Sequence, residues 1–182
     1  PLPEGWVWTT IGSITQPIEK VKPRENPDVQ FTYLDISSIN NTIYRIVEPK
    51  TYQGAKAPSR ARQLVKANDV LFSTVRTYLK NIALVPKVYD GQIASTGFSV
   101  LRAKVDISPK YLFYYSLTDW FVNELGKLQR GTSYPAVRDG DVRVQPFPLA
   151  PLPEQHRIVA AIETHFTRLD ASVAALERAQ AN

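Results

Sequence analysis

Hydrophobic residues in the first half of the chain occur in short runs rich in β-branched and aromatic types. Four such runs occupy residues 31–39 (FTYLDISSI), 69–75 (DVLFSTV), 82–85 (IALV) and 93–101 (IASTGFSVL). Runs of this length between turn-forming residues are typical of strands. The Asp-Gly pair at 90–91 predicts a hairpin between the last two runs. We therefore expect a mainly antiparallel, strongly bent β-sheet.

After residue 108, the spacing between apolar residues changes to three and four positions. Ser108 and Pro109 supply an N-cap and a first helical position. Apolar residues then recur at Tyr114, Leu117, Phe121, Leu125 and Leu128. This spacing predicts one amphipathic helix packed on the sheet. Residues 142–147 (VRVQPF) alternate instead, which predicts a further strand.

A second helical pattern follows four prolines between residues 146 and 153, which predict an extended connector. With Pro153 at its first position, this helix carries a heptad stripe. The stripe consists of Val159, Ile162, Phe166, Leu169, Val173 and Leu176. It predicts a coiled-coil helix buried against another helix, since one long helix is unstable alone in water. The alternative is a helix packed back on its own domain, and the connector favours the first interpretation.

These patterns predict an α+β chain with two parts. A globular domain at residues 1–150 combines the bent sheet with packed helices, and a long protruding helix occupies residues 151–182. The helical pattern is unbroken at the last residue, and the first residue is not Met. We therefore expect the natural protein to continue beyond this sequence.

The net charge also differs between these two parts of the chain. The 182 residues carry a net charge of +5, yet residues 154–182 hold three arginines and four acidic residues. A basic globular part favours a polyanionic partner, and a near-neutral helix favours a protein partner. The chain has no Cys, which excludes disulfides and thiolate metal sites. It shows neither a secretion signal nor a membrane-length apolar run, so we expect a cytosolic protein without a membrane partner.

Catalytic motifs are scarce. The phosphate-binding patterns GxxxxGK[ST] and GxGxxG and the nucleophile pattern GxSxG do not occur. The two histidines, His156 and His165, lie nine residues apart and so point to opposite faces of the helix, which argues against a metal or catalytic site.

One short pattern matches a Mg²⁺-dependent nuclease loosely. Asp28, after a proline, is followed by Glu48 and Lys50 at the spacing of a PD…ExK motif, in which carboxylates hold the metal. That motif requires its Glu and Lys on a central strand, whereas Pro49 between them removes a ladder hydrogen bond. We keep a nuclease as an alternative function, and a structural coiled-coil adaptor as another.

Basic, hydroxyl and aromatic side chains are interleaved in three predicted loops. Arg and Lys neutralise phosphates and read guanine edges, hydroxyls bond phosphates, and Tyr stacks or wedges. The candidate DNA contacts are Arg60, Arg62, Ser73, Arg76, Tyr78, Lys80, Arg130, Thr132, Ser133 and Tyr134. Arg76 and Arg130 are the best candidates for base edges or close phosphates, and Tyr78 is alternatively a residue at the edge of the core. The alternatives are a solvated basic rim and, for Ser73 and Thr132, hydroxyls that cap turns.

Several stretches together resemble the specificity subunit of type I restriction–modification enzymes. They are LPEGWVWTTIGSI (2–14), ANDVLFSTVRTYLKNIALV (67–85), IASTGFSVLR (93–102), YLFYYSL (111–117) and GTSYPAVRDGDVRVQPFPLAPLPEQHRIVAAIE (131–163). The most specific is PLPEQ followed by RIV at 151–159. The chain departs from the pattern at Asn68, where the family has Gly in a left-handed turn, and at Tyr134, where it often has Gln.

The resemblance implies a DNA-recognition role without catalysis. A complete subunit of the family carries two recognition domains, each reading one half of a split target, and two helices that pair antiparallel and dock the methyltransferase subunits. This chain resembles half of such a subunit, and its helix would pair with the second helix of the same subunit or with a homodimer mate. S-adenosylmethionine, ATP and Mg²⁺ would belong to the methyltransferase and restriction subunits. A bacterial or archaeal cytoplasm is the implied location.

Overall fold

The structure, a computed structural model, describes residues 2–180, with the side chains of the last helix except those at 170, 175, 177, 179 and 180. The predicted parts 1–150 and 151–182 include residues 1, 181 and 182, which lie outside the described residues. No helix in residues 2–180 has the length and apolar character needed to cross a bilayer.

Short strands dominate the first 103 residues, which contain one short α-helix, and the other four α-helices and the last strand follow them. The strands are β1 (Val7–Thr10), β2 (Thr15–Gln16), β3 (Gln30–Leu34), β4 (Ile39–Asn40), β5 (Arg45–Ile46), β6 (Lys50–Gln53), β7 (Ala61–Leu64), β8 (Val70–Ser73), β9 (Ile82–Leu84), β10 (Ile93–Ser95), β11 (Phe98–Ala103) and β12 (Pro146–Leu149). The α-helices are α1 (Ile11–Ile14), α2 (Pro109–Ser116), α3 (Asp119–Gly126), α4 (Asp139–Arg143) and α5 (Leu152–Gln180). Single 3₁₀ turns occur at Pro23–Glu25, Ile36–Ser38, Gly54–Lys56, Thr77–Leu79 and Lys87–Tyr89.

The predicted bent sheet is resolved into two four-stranded sheets, in the orders β6-β3-β10-β7 and β2-β11-β8-β9. The pairing is antiparallel except between β3 and β10. The run 93–101 supplies a strand to each sheet, β10 and then β11, with the change at Thr96 and Gly97. The α+β, mainly antiparallel fold is therefore confirmed, and the bend is the point where one chain segment leaves one sheet for the other.

The core lies on both faces of the second sheet. Val70 and Phe72 of β8 pack in the cluster formed with α2 and α3, whereas Leu71 packs in the cluster between the two sheets. All four residues of β8 are buried, as expected of a central strand covered on both faces. Asn68, just before this strand, has φ 70°, which confirms the left-handed turn expected there.

The predicted hairpin at residues 90–91 is wrong. Strands β9 and β10 belong to different sheets, and β9 instead pairs with β8. A turn does form there, because the Gln92 N–H donates to the Tyr89 carbonyl across 3.2 Å, and the Gly91 N–H ties this turn to the Val65 carbonyl across 2.9 Å. The strand expected over 31–39 also ends early, at Leu34, where Asp35 caps a 3₁₀ turn by accepting from the Ile36 N–H.

Two helical predictions also need correction. The single helix expected up to residue 128 is two helices, because Thr118 accepts a hydrogen bond from the Phe121 N–H and starts α3. The strand expected over 142–147 is wrong at its start. Residues 142 and 143 belong to α4 instead, and Val142 is fully buried there. The second half of the predicted strand begins β12, which pairs with β1.

The proline-rich segment is part of the fold and does not detach the helix. Pro146 and Pro148 lie in β12, where their carbonyls accept hydrogen bonds from the hydroxyls of Tyr115 (2.6 Å) and Tyr111 (2.8 Å) of α2. Burial raises the pKa of Tyr111 to about 12 and also raises the pKa of Tyr115, so both phenols stay protonated donors. These bonds satisfy the proline carbonyls on the side away from β1.

The start of α5 is fixed to the globular part by a buried amide. Gln155 is 1% exposed, its Nε2 donates to the Ala150 carbonyl (2.8 Å), and its Oε1 accepts from the Ser108 N–H (2.9 Å). Trp6 Nε1 donates to Glu154 across 3.0 Å on the outer side of the same turn. Both polar atoms of the Gln155 amide therefore fix the first turn of α5 to the domain.

We predict that Gln155→Leu lowers the free energy of unfolding by about 2–4 kcal/mol, because it leaves a buried N–H and a buried carbonyl unpaired. Urea denaturation followed by tryptophan fluorescence measures the loss. Gln53→Leu, at an exposed position of β6, is the matched control and should change stability by less than about 0.5 kcal/mol. Equal effects of the two substitutions would contradict the structural role of Gln155.

Candidate nucleic-acid interface

Two loops that are distant in sequence lie side by side beyond the end of β8. Residues 74–81 connect β8 to β9, and residues 127–138 connect α3 to α4. Ala136 of the second loop forms antiparallel bridges both with Arg130 of its own loop and with Val75 of the first. We call these two segments the loop pair. Their backbones form one small ladder, so the side chains on it share one surface.

Further backbone hydrogen bonds extend this ladder. The Arg76 N–H donates to the Pro135 carbonyl across 2.7 Å, and the Val137 N–H donates to the Thr74 carbonyl across 2.9 Å. Gly131 has φ 93°, a left-handed conformation that glycine adopts at little cost, at the start of the turn. The segment GTSYPAVR is therefore a defined turn that is hydrogen-bonded to a neighbouring loop.

Arg76 and Tyr134 form a preassembled pair on this surface. The Arg76 Nη2 donates to the Ser133 carbonyl (3.1 Å), and its guanidinium carbon lies 4.8 Å from the centre of the Tyr134 ring. The buried Nε of Arg76 has no partner within the described residues. The Tyr134 side chain is 72% exposed. A cation over an aromatic ring orients both groups before any ligand arrives.

Tyr78 projects from the neighbouring loop. It lies in a 3₁₀ turn between Arg76 and Lys80, both of which have left-handed backbones with φ 48° and 49°. Asn41 holds this turn from the side by donating to the Leu79 carbonyl across 2.7 Å. Tyr78 is 59% exposed. A fixed turn with an exposed aromatic residue at its tip is suited to stacking on, or inserting beside, a flat ligand group.

Two cations of the loop pair, Lys80 and Arg130, are paired with carboxylates. The Lys80 ammonium donates to Asp119 (2.6 Å) and to the Leu117 carbonyl (2.9 Å). The Arg130 guanidinium donates to both Asp141 oxygens, at 2.6 and 3.5 Å. Hydrogen bonds from these cations lower the pKa of Asp119 and of Asp141, so both carboxyls are ionised at neutral pH.

The sequence analysis did not identify these two aspartates. Asp141 follows Arg138 by three residues, the spacing at which an acidic side chain bonds the first N–H of a helix. The Arg138 N–H indeed donates to Asp141 across 2.8 Å. The local spacing could thus have placed Asp141 at the start of α4. Its pairing with Arg130 depends on tertiary structure, which no local pattern carries.

The hydroxyl candidates differ in accessibility. Ser73 is 1% exposed, and its hydroxyl donates to the Val75 carbonyl (2.9 Å) and accepts from the Val75 N–H (3.3 Å). Ser73 therefore shapes the turn from inside and offers no surface to a ligand, as in the alternative interpretation of this residue. Thr132 and Ser133 are exposed at the tip of the GTSYPAVR turn.

Arg60 and Arg62 lie on the other sheet, before and within β7. The Arg60 carbonyl accepts from the Thr96 N–H across 2.9 Å, and Gly97, next in the chain, accepts from the first residue of the loop pair. Arg60 thus borders the loop pair across the sheet change, with an exposed side chain. Arg62 is half-buried, and its Nε donates to the Ser59 carbonyl across 3.0 Å.

The apolar stripe of α5 is divided in two. Val159 is buried, Ile162 is half-buried, and the Phe166 ring stacks on Tyr114 of α2 at 6.3 Å between centres. This part of the helix packs back on its own domain. The remaining stripe residues are exposed: Leu169 by 58%, Val173 by 45% and Leu176 by 63%.

The residues of the nuclease alternative do not come together. Lys50 pairs with Tyr33 across β6 and β3. Asp28 lies in the turn before β3, whose neighbours are the residues after β6: the Gly54 and Ala55 N–H groups donate to the Val29 and Pro27 carbonyls. Glu48 has a left-handed backbone with φ 50° and belongs to no strand. Among the side chains that the structure describes, no three His, Asp or Glu are grouped closely enough to hold a metal ion.

Comparison with known proteins assigns the family. The family model described as "type I restriction modification DNA specificity domain" matches residues 3–177. The EcoDI type I specificity subunit of Escherichia coli is 24% identical over 170 residues, which cover 93% of this chain and 36% of that protein.

Solved structures agree in fold and in sequence. The HsdS subunit from Thermoanaerobacter tengcongensis is 46% identical with a TM-score of 0.91, over 98% of this chain and 46% of that one. A structure described as showing complex assembly and conformational transition of the type I R-M system is 47% identical with a TM-score of 0.90, over 99% and 47%. The S subunit from M. genitalium, at 16% identity and a TM-score of 0.55, shares the fold.

The chain thus spans between a third and a half of the length of these relatives. The family model covers nearly every described residue, including the loop pair and most of α5. The chain therefore belongs to the family of type I restriction modification DNA specificity domains.

Proposed function

We propose that this chain recognises the sequence of one segment of double-stranded DNA for a type I restriction–modification complex. The observation that carries the proposal is the backbone ladder at Ala136, which joins two loops rich in basic and aromatic residues into one exposed surface. Family membership supports the same role. The chain would read one half of a bipartite target, since it spans about half of its solved relatives.

The side chains on this surface match what DNA recognition requires. Arginine can bond a guanine edge in the major groove with two donors, whereas lysine and hydroxyl groups bond phosphates. Exposed tyrosines can stack on bases or wedge between base steps. Arg76, Tyr78, Arg130, Ser133 and Tyr134 of the loop pair combine these chemistries, and Arg60 extends the basic rim.

We assign no catalytic step to this chain. Methyl transfer from S-adenosylmethionine and ATP- and Mg²⁺-dependent cleavage belong, in this proposal, to the methyltransferase and restriction subunits. One relative was solved in work on assembly of the type I R-M system, which supports partnership with such subunits. The separation of Asp28 from Lys50 leaves the nuclease alternative without a site.

The exposed stripe of α5 is the proposed contact with a partner helix. Leu169, Val173 and Leu176 follow a heptad spacing and are exposed, and such residues pack as knobs between neighbouring helices. The partner would be the second helix of the same subunit or the α5 of a second copy. In a two-fold pair of copies, the two recognition surfaces would address a palindromic target.

We predict that Tyr134→Ala raises the dissociation constant for the preferred DNA duplex about 5- to 150-fold, since an inserted or stacked aromatic contributes about 1–3 kcal/mol. Fluorescence anisotropy with a duplex selected from a random library measures this change. Trp8→Ala, which removes another exposed aromatic on β1, 59% exposed against 72% for Tyr134, is the control and should leave affinity unchanged. Full affinity in Tyr134→Ala would remove this residue from the interface.

Arg60→Ala should weaken binding to every duplex by the same factor. Its exposed side chain is placed to neutralise one phosphate, so the slope of log K against log salt should become shallower by about 0.9. Lys66→Ala removes the same charge from an exposed position before β8 and should leave the slope unchanged. Equal slopes for both variants would show that Arg60 contributes only to net charge.

Leu169→Asp should abolish association through α5, because it places a charge within an apolar helix interface. This residue is a sharper probe than Phe166, which also packs on Tyr114. Sedimentation of the 182-residue chain, alone and with the methyltransferase subunit, measures the assembled mass. Thr164→Asp, on another face of the same helix, should assemble normally, and an unchanged mass for Leu169→Asp would contradict the proposed interface.

A further inference from the structure

The 3₁₀ turn Thr77–Leu79 of the loop pair differs from the other four 3₁₀ turns in residues 2–180. Left-handed residues flank it on both sides, Arg76 with φ 48° and Lys80 with φ 49°, whereas none of the other four has a left-handed residue at either flank. A residue with a β-carbon adopts this conformation at a cost in free energy. Such a turn therefore persists only where the rest of the fold holds it.

Hydrogen bonds from three neighbouring segments hold this turn. Thr77 is 1% exposed, and its hydroxyl accepts from the Gln129 Nε2 across 2.5 Å. Asn41, between β4 and β5, donates to the Leu79 carbonyl across 2.7 Å. The Lys80 ammonium donates to the Leu117 carbonyl, which follows α2. The position of the tip of this turn is therefore set before any ligand binds.

The two residues at the tip present apolar side chains to solvent. Tyr78 is 59% exposed and Leu79 is 39% exposed. The surface around them is basic, since residues 74–81 and 127–138 hold five cations and no acidic residue. Neighbouring segments supply carboxylates to some of these cations, but Arg76, next to the turn, bonds a backbone carbonyl instead. DNA offers phosphates to such a cation and base faces to the apolar tip, whereas an apolar protein surface would match only the tip.

We propose that Tyr78 and Leu79 form a wedge that separates one base step of the bound DNA. The inference rests on the proposed DNA-recognition function. An aliphatic side chain inserted between two base pairs unstacks them and kinks the duplex. An aromatic ring can stack on the base face that becomes exposed. Because both residues lie on one fixed turn, they enter the duplex together.

A wedge of this kind selects a DNA sequence without bonding a base edge. The cost of unstacking depends on the step, and pyrimidine–purine steps such as TA and CA open most easily. We therefore expect the preferred duplex to carry such a step where the tip enters. This contribution to specificity is separate from that of Arg76, which would recognise the edge of a base.

The first test follows base stacking with 2-aminopurine, a fluorescent adenine analogue, placed at each adenine of the preferred duplex in turn. Binding of the 182-residue wild-type chain, with no methyltransferase subunit present, should raise the fluorescence severalfold at one step. Tyr78→Ala and Leu79→Ala should lose most of this rise at saturating protein concentration. Tyr78→Phe should keep it, because stacking requires the ring and not the hydroxyl.

Two exposed residues outside the loop pair provide matched controls. Trp8 on β1 has the same exposed fraction as Tyr78, 59%, and Val88 is 76% exposed in the 3₁₀ turn Lys87–Tyr89. Trp8→Ala and Val88→Ala should leave the fluorescence rise unchanged. An equal loss in these controls, or a full rise in either tip variant, would overturn the proposal.

A second test changes the DNA instead of the protein. Replacing the opened step by a stiff AA step should weaken wild-type binding about tenfold, within the range for one changed base pair. The same replacement should weaken binding of Leu79→Ala by a smaller factor, because this variant no longer opens the step. Any loss of base-edge contacts is common to both proteins and cancels in the comparison. Equal factors for the two proteins would contradict the wedge.

The outcomes separate this inference from the proposed function. A wild-type chain that prefers one duplex but raises the fluorescence at no position refutes the wedge alone. A wild-type chain that prefers no duplex refutes the proposed function and the wedge with it. Tip variants that distort DNA as the wild type does, yet no longer associate with the methyltransferase subunit, would identify the tip as a protein contact and overturn the proposal.

Discussion

The change of sheet at Thr96 and Gly97 is the constraint on which the arrangement of this protein depends. One chain segment supplies β10 to the first sheet and β11 to the second, so the two sheets are joined at this point. A β-carbon at Gly97 would lie 2.8 Å from the Ile36 side chain, which shows how closely the segment is packed. Both the N–H and the hydroxyl of Thr74 donate to the Gly97 carbonyl, and the Arg60 carbonyl accepts the Thr96 N–H. The loop pair and the basic rim on the first sheet therefore keep a fixed relative position that neither sheet alone would give them.

Hydrophobic period identified β3, β8, β9, β10, β11 and the last helix, but it missed β6 and β7 and did not determine which elements meet. The alternating VRVQPF predicted a strand, yet Val142 is buried within α4 because Arg138 and Asp141 start a helix just before it. Prolines were expected to separate α5 from the domain, since they cannot donate to a ladder. Tyr111 and Tyr115 instead bond the carbonyls of that segment. The second outcome depends on partners more than 30 residues away, which a local pattern does not contain. The start of α4 depends on a pair only three residues apart.

In the candidate site, too, the sequence indicated the residues but not their arrangement. Arg76, Tyr134 and Arg130 were recognisable from their chemistry and from the resemblance to a known family. Their grouping depends on Ala136, whose backbone forms β-bridges with both Arg130 and Val75. Nothing in the chemistry of its side chain indicates this role. Ser73 has the right chemistry but faces inward. Side-chain type thus indicated which residues could act on DNA, and tertiary structure determined which of them can reach it.

The contact of Phe166 with Tyr114 marks the last point, within the described residues, at which α5 packs on its own domain. The 14 residues of α5 beyond it extend over about 21 Å at 1.5 Å per residue. A tilt of about 10° at this contact would displace the far end of the helix by about 4 Å, close to the 3.4 Å between successive base pairs. If two recognition surfaces are spaced by such helices, the packing between Gln155 and Phe166 would set how accurately the distance between two half-sites is held.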